Sequence, residues 1–174
     1  MKILIIGGAE YSASTSAFDE VIAINEHHSD INTRFKCDGV TLLYGHTRNK
    51  PWIGLDQVGT CEQYKEVSPL YVGTKENKIR LYEWSNIFRK QYKMKPFTGM
   101  YCLEYIRQRT LESIHLDGMT FYHEKENGKF VKPKSIKRDS HGIEANINYL
   151  LEVKRIDARV SFSQDLLEVL ELWE

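Results

Sequence analysis

The sequence contains no long apolar run, no excess of one charge and no closely spaced cysteines. No stretch approaches the ~20 consecutive apolar residues that a membrane-spanning helix needs, so we expect no membrane span and a cytoplasmic protein. The 24 Lys and Arg residues balance 24 Asp and Glu residues, which excludes nucleic-acid binding through net charge alone. Cys37, Cys61 and Cys102 lie far apart, which is typical of reduced thiols and not of a disulfide framework or a zinc site.

The chain does contain enough apolar material for one folded domain. Its 174 residues are 41% hydrophobic and 11% aromatic, a composition that a disordered chain does not have. No internal repeat, low-complexity tract or linker divides the sequence. We therefore expect a single domain over residues 1–174.

Short apolar runs alternate with segments of helical periodicity. The first run, residues 2–6, is rich in isoleucine and ends at Gly7 and Gly8, as a strand buried on both faces of a parallel sheet does. Further strands are predicted at residues 20–24, 39–44, 70–72, 113–116 and 158–162, and helices at 79–88, 98–111, 140–153 and 164–172. This alternation favours an α/β fold, a Rossmann-like three-layer sandwich with a mainly parallel sheet.

Two segments do not fit the alternation. Residues 46–68 have no clear period, and we expect them to form an ordered excursion near the strand ends. Residues 124–138 carry six Lys or Arg with one Pro and one Gly, so we expect a mobile loop or lid there.

The residues that follow the predicted strands define one candidate crevice, because ligands of open α/β sheets bind outside the carboxyl ends of the strands. Thr98 and Gly99 at a helix start combine a hydroxyl, N–H groups and the positive end of the helix dipole, which suits a phosphate. Tyr122 adds a phenol donor, and His141 adds an imidazole suited to acid–base catalysis near neutral pH. The candidate site residues are Gly7, Gly8, Ser12, Asn25, Thr98, Gly99, Tyr122 and His141.

Each of these residues also has an ordinary structural interpretation. The glycine pair alone indicates a tight turn, the Thr-Gly pair a helix cap, and Asn25 a turn residue. Tyr122 also fits a sheet-edge tyrosine, and His141 a helix-capping or surface histidine. The sequence contains no Asp-x-Asp motif and no pair of histidines at helical spacing, the two patterns that would indicate a metal site. We therefore expect neither a catalytic metal nor a bound cofactor.

The order of the segments carries a family resemblance. Residues 2–12 read KILIIGGAEYS, and residues 18–25 read FDEVIAIN. The second half contains PFTGMYC at residues 96–102 and SIHLDGMTFY at residues 113–122, followed by Ser140 and His141. Together these segments resemble the bacterial lipooligosaccharide sialyltransferases and, more distantly, the eukaryotic sialyltransferases.

The resemblance implies a GT-A-like variant of the Rossmann-like fold and a metal-independent, inverting glycosyltransferase. Its donor would be CMP-sialic acid or a related nucleotide sugar, and its acceptor a glycan or another hydroxyl compound. Tyr122 would donate a hydrogen bond to the departing phosphate, and His141 would be the general base, with Glu144 as an orienting group. Nucleotide contacts are assigned to Gly7, Gly8, Ser12, Asn25, Thr98 and Gly99.

Departures from the family pattern leave two other functions open. Gly8 and Ala9 stand where the family has Asn between two glycines, Phe130 stands in place of a second tyrosine on the phosphate, and the chain is short for the family. These features favour, as an alternative, a catalytically inactive nucleotide or nucleotide-sugar binding protein. A further, less favoured alternative is sugar transfer to a nucleic-acid base, with the basic residues of 124–138 on phosphates.

Overall fold

The computed structural model of this protein describes residues 1–24, 28, 30–31, 33–35, 75–133 and 142–174. These residues form a five-stranded parallel sheet, a separate two-stranded hairpin, four α-helices and one short 3-10 helix. The sheet consists of β1 (Lys2–Ile6), β2 (Glu20–Ile24), β3 (Thr33–Phe35), β4 (Ser113–Asp117) and β7 (Val160–Phe162). The hairpin is β5 (Glu124–Glu126) with β6 (Lys129–Val131). The helices are α1 (Lys75–Tyr92), α2 (Thr98–Arg107), α3 (Ile143–Ile156) and α4 (Gln164–Glu171), and the 3-10 helix is Thr15–Ala17.

The sheet has the strand order β3-β2-β1-β4-β7, and every neighbouring pair is parallel. The central strand β1 lies between β2 and β4, with Ile5 opposite Ile22 on one side and Leu116 on the other. Residues 3–6 are fully buried, which explains why this strand reads as an unbroken apolar run. The predicted parallel α/β fold is confirmed in this form.

Alternate strand residues face two apolar clusters on opposite sides of the sheet. Ile3 and Ile5 join the larger cluster, which also contains the buried side chains of α2, α3 and α4 and those described for α1. Leu4 and Ile6 join the smaller cluster, where they pack against residues 11–21. The four described α-helices therefore cover one face of the sheet, and the connection from β1 to β2 covers the other face.

The hairpin β5–β6 stands where the sequence analysis expects a mobile loop. Asn127 and Gly128 form its turn with φ of +52° and +77°, the left-handed conformations that a tight hairpin turn requires. Phe130 is buried, and Lys125 pairs with Asp165 of α4 at 2.9 Å. Residues 124–131 therefore form a β-hairpin, which the Asn-Gly pair indicates and the basic composition did not predict.

Several predicted features lie outside the described residues. They are the strands at 39–44 and 70–72, the excursion at 46–68, and the candidate site residues Asn25 and His141. Among the α-helices that the structure describes, none has both the length and the apolar character needed to cross a membrane.

Candidate functional site

A cavity of about 320 Å³ opens at the carboxyl ends of β1 and β4. The strand order places β2 and β4 on opposite sides of β1, so the chain leaves β1 and β4 at the topological switch point where open α/β sheets bind ligands. Five of the predicted site residues line this cavity together: Gly7, Gly8, Thr98, Gly99 and Tyr122. Residues separated by more than a hundred positions in the sequence therefore share one concave surface, whose size is at the lower end for small-molecule sites.

Gly7 is required where the turn after β1 packs on the turn after β4. Its N–H donates to the Asp117 carbonyl at 2.8 Å, and the Ala9 N–H donates to the Gly118 carbonyl at 2.9 Å. A Cβ atom on Gly7 would overlap the Gly118 carbonyl oxygen and lie 2.6 Å from Cγ of Met119. The absence of a side chain here serves the contact between the two turns.

Met119 is a cavity residue that the sequence analysis did not single out. Its side chain packs against Gly7, and its Cε would lie 3.2 Å from a Cβ atom placed on Gly99. Met119 thus occupies the space between the turn after β1 and the start of α2, and both glycines leave room for it. A flexible thioether at this position gives the cavity an adaptable apolar wall.

Asp117, the last residue of β4, fixes the shape of the loop after β1. The carboxylate is 2% exposed and accepts hydrogen bonds from the N–H groups of Ser12 (2.8 Å), Ala13 (2.9 Å) and Gly118 (2.7 Å). Burial acts to raise the pKa of Asp117, but these backbone hydrogen bonds and one from Ser163 outweigh it and lower the pKa. The side chain is therefore an ionised carboxylate that holds the loop in place.

Ser12 does not line the cavity, although the resemblance assigns it to the nucleotide. Its N–H and hydroxyl both point to Oδ2 of Asp117, at 2.8 and 3.3 Å. This arrangement makes Ser12 part of the loop's internal hydrogen bonding. The sequence could not show it, because the two residues lie 105 positions apart.

The N-terminus of α2 faces the cavity through Thr98 and Gly99. The N-cap residue Phe97 has no side-chain oxygen with which to cap the helix, and its own N–H donates to Oδ1 of Asn146 at 2.7 Å. Asn146, which is buried in α3, also donates to the Gly142 carbonyl at 2.9 Å. This amide fixes the helix start, and the positive end of the helix dipole is directed at the cavity.

The rim of the cavity has a strained backbone. Phe121 and Tyr122 have φ of +50° and +61°, a conformation that costs L-residues about 1–2 kcal/mol each. Phe121 is buried, whereas Tyr122 is 73% exposed and its ring lies 6.2 Å from that of Phe97. The strained turn places Tyr122 at the mouth of the cavity. Tyr122 therefore lies in a turn and not at the edge of a sheet, which was its ordinary structural interpretation.

Glu144, the orienting group that the resemblance implies, does not line the cavity. Glu144 is exposed in the first turn of α3, which begins at Ile143, and the described residues do not include the histidine that precedes Gly142. Across the described residues, no group of three or more His, Cys, Asp or Glu is arranged to hold a metal ion.

Two of the basic side chains considered for nucleic-acid binding are engaged within the molecule. Lys125 pairs with Asp165 at 2.9 Å and lies over the Phe130 ring. Lys132 lies 4.3 Å from the centre of the Trp173 ring. Contacts within the protein thus explain two of the six basic residues in this segment, and no nucleic-acid partner is needed to explain them.

The chain matches no protein-family model, no curated protein sequence and no solved structure.

Proposed function

We propose that this protein binds the nucleotide part of a nucleotide sugar in the cavity between β1, β4 and α2, and transfers the sugar. The observation that supports the proposal is the convergence of Gly8, the Thr98–Gly99 helix start and Tyr122 at the switch point of a parallel sheet. The donor of the proposal is CMP-sialic acid or a related compound, and the acceptor is a glycan or another hydroxyl compound. The corresponding fold is the three-layer, GT-A-like variant found in sialyltransferases.

In the proposed reaction, the donor phosphate lies at the N-terminus of α2. The helix dipole and the Tyr122 phenol would stabilise the negative charge that develops on the phosphate as the bond to the sugar breaks. His141 would accept the proton of the acceptor hydroxyl while its oxygen attacks the anomeric carbon from the opposite side. The products are CMP and a glycoside of inverted configuration. The helix dipole and the Tyr122 phenol would stabilise the charge on the departing phosphate in place of a metal ion.

Calorimetry with CMP, followed by a transfer assay with CMP-sialic acid, tests this function. We expect the wild type to bind CMP and to form product, and His141→Ala to bind CMP but form none. Tyr122→Phe keeps the ring and removes the hydroxyl, so we expect a loss of rate of about 10- to 1,000-fold if the phenol stabilises the leaving phosphate. Ser161→Ala on the exposed side of β7 is the matched control, and it should leave both measurements unchanged. Unchanged turnover by His141→Ala would refute the base assignment.

A catalytically inactive nucleotide-binding protein is the second candidate, and one observation favours it. Phe130, the counterpart of the family's second phosphate-binding tyrosine, is buried in the hairpin and does not line the cavity. A protein that lacks this contact would hold the nucleotide with less stabilisation of the departing phosphate. CMP binding without hydrolysis or transfer for any acceptor would establish this alternative.

Transfer to a nucleic-acid base stays the least supported version of the proposal. Lys125 and Lys132 make contacts inside the molecule, which leaves fewer cations for phosphates. Binding to a short single-stranded oligonucleotide at low salt, with the affinity falling steeply as salt is added, would support it.

A further inference from the structure

His123 connects the cavity rim to the C-terminal end of the chain. It follows the strained pair Phe121 and Tyr122 and is 5% exposed. Its Nδ1 lies 2.9 Å from the carbonyl oxygen of Thr120 and 3.1 Å from that of Phe121, and its Nε2 lies 3.0 Å from Nε1 of Trp173. Carbonyl oxygens only accept and an indole N–H only donates, so these partners require a neutral ring with its proton on Nδ1.

Trp173 is itself held from two sides. Its backbone N–H donates to the Leu170 carbonyl at 2.9 Å, which continues α4 by one turn. The ammonium group of Lys132, just after β6, lies 4.3 Å from the centre of the indole ring. The indole that donates to His123 is therefore fixed by both α4 and the hairpin.

We propose that the hydrogen bond between His123 and Trp173 is a clasp that holds the Phe121–Tyr122 rim over the cavity, which makes His123 a positioning residue for the ligand. Through its Nδ1–H, the ring binds two carbonyl groups of the strained turn, and through Nε2 it attaches that turn to α4. Protonation of Nε2 turns an acceptor into a donor that faces the indole N–H. The clasp then opens, and the rim loses the contact that offsets its strain.

The surroundings of His123 keep its ring neutral and the clasp closed at neutral pH, so the clasp opens only at a pH below the ordinary histidine pKa of about 6.5. Burial lowers the pKa of His123, the hydrogen bonds to Thr120 and Phe121 counteract this in part, and the charge of Lys132 lowers the pKa further. Among the described residues, Lys132 is the charged side chain that acts on the ring from the hairpin, and α4 presents the uncharged indole. The neighbouring carboxylate at the C-terminus, Glu174, pairs with Lys154 of α3 at 2.9 Å.

NMR spectroscopy of the intact protein tests the clasp without any ligand. The indole N–H signal of Trp173, assigned by its loss in Trp173→Phe, should shift together with the His123 ring signals as the pH falls from about 7.5 to about 5. The amide signals of Phe121 and Tyr122 should move at the same midpoint. The proposal would be overturned if the amide signals of Phe121 and Tyr122 stayed constant while the indole signal shifted. It would also be overturned if the indole signal did not change as the His123 ring is protonated.

Binding measurements extend the test to the cavity, and this part rests on the proposed function. His123→Asn keeps an N–H for the turn carbonyls but removes the acceptor for Trp173, and Trp173→Phe removes the donor. Each variant should weaken CMP binding by about 2- to 12-fold, the effect of one ordinary hydrogen bond, and the double variant should weaken it no further. Additive losses would contradict a shared clasp.

The controls separate the clasp from general destabilisation and from the failure of the proposed function. Trp84→Phe changes a partly buried tryptophan of α1 whose ring packs against Phe88, Tyr101 and Tyr149, and because none of these residues lines the cavity, it should leave the affinity for CMP unchanged. Because CMP itself titrates near pH 6, the ratio of variant to wild-type dissociation constants is compared at each pH, and it should approach one in acid. If the wild type does not bind CMP, the proposed function fails, and the NMR titration alone decides whether the clasp exists.

Discussion

Asp117→Asn is the substitution that most directly tests how the loop after β1 is held. The carboxylate accepts three backbone N–H groups, from Ser12, Ala13 and Gly118, at 2.7–2.9 Å. Asparagine has nearly the same shape but only one accepting oxygen. The less damaging orientation of the amide places its NH₂ group against the Gly118 N–H, and the opposite orientation leaves two N–H groups without an acceptor.

The expected loss follows from these contacts. One unsatisfied buried N–H costs about 1–3 kcal/mol, and the remaining hydrogen bonds lose the strength that an ionised acceptor gives them, at about 1 kcal/mol in total. We expect Asp117→Asn to lower the free energy of unfolding by about 2–4 kcal/mol at pH 7. Urea denaturation followed by circular dichroism measures this difference.

The same difference should depend on pH with a defined sign. The pKa of Asp117 is lower in the folded protein than in the unfolded chain, so its stabilising effect is present above the unfolded value near 4 and is lost as the pH falls through the folded value. Asparagine does not titrate, so the gap between wild type and variant should narrow below about pH 4.

Asp19→Asn is the matched control for this experiment. Asp19 accepts one backbone N–H, from Lys2 at 2.7 Å, but its side chain is 62% exposed. We expect this variant to lose less than about 1 kcal/mol. A loss for Asp117→Asn no larger than that of Asp19→Asn, or a difference that stays constant into acid, would refute the role assigned to the buried carboxylate.

Three further predictions concern residues around the cavity and in the core. Gly7→Ala would force a Cβ atom against the Gly118 carbonyl oxygen, so we expect a loss of about 1–3 kcal/mol, measured by thermal unfolding. Asn146→Ala leaves the Phe97 N–H without its acceptor, so it should cost about 1–3 kcal/mol in urea denaturation and weaken CMP binding; a variant as stable as wild type would show that the amide does not hold the start of α2. Cys102 is buried and burial raises the pKa of its thiol, so with the other two cysteines replaced by serine the folded protein should react with a thiol reagent only after denaturant is added.

The sequence by itself identifies strands β1, β2, β4 and β7 and the four α-helices, but it predicts neither β3 nor the two strands of the hairpin. The bounds of β1 and β2 agree with the predicted runs, because both are apolar segments that end at glycine or asparagine. The start of α2 at Thr98 also agrees, since the Thr-Gly pair precedes a segment of helical period. The hairpin β5–β6 carried a usable signal in Asn127 and Gly128, which the count of basic residues obscured.

The candidate site is only partly readable from the sequence. The rule that ligands bind at the carboxyl ends of parallel strands selected Gly7, Gly8, Thr98, Gly99 and Tyr122, and the fold brings these five residues to one cavity. The rule did not single out Met119 as a wall of that cavity. It also could not reveal that Ser12 is turned toward a buried carboxylate.

The pattern of apolar runs, glycines and helix-start residues thus determined strands β1, β2, β4 and β7, the helices and the edge of the sheet where a ligand site would form. These features depend on neighbours within a few positions, which a single sequence displays. Only the tertiary structure decided that Asp117 holds the loop at Ser12, and that His123 meets Trp173, 50 residues away. Such hydrogen bonds join side chains whose separation in the chain says nothing about their distance in space, so packing of the whole domain has to bring them together.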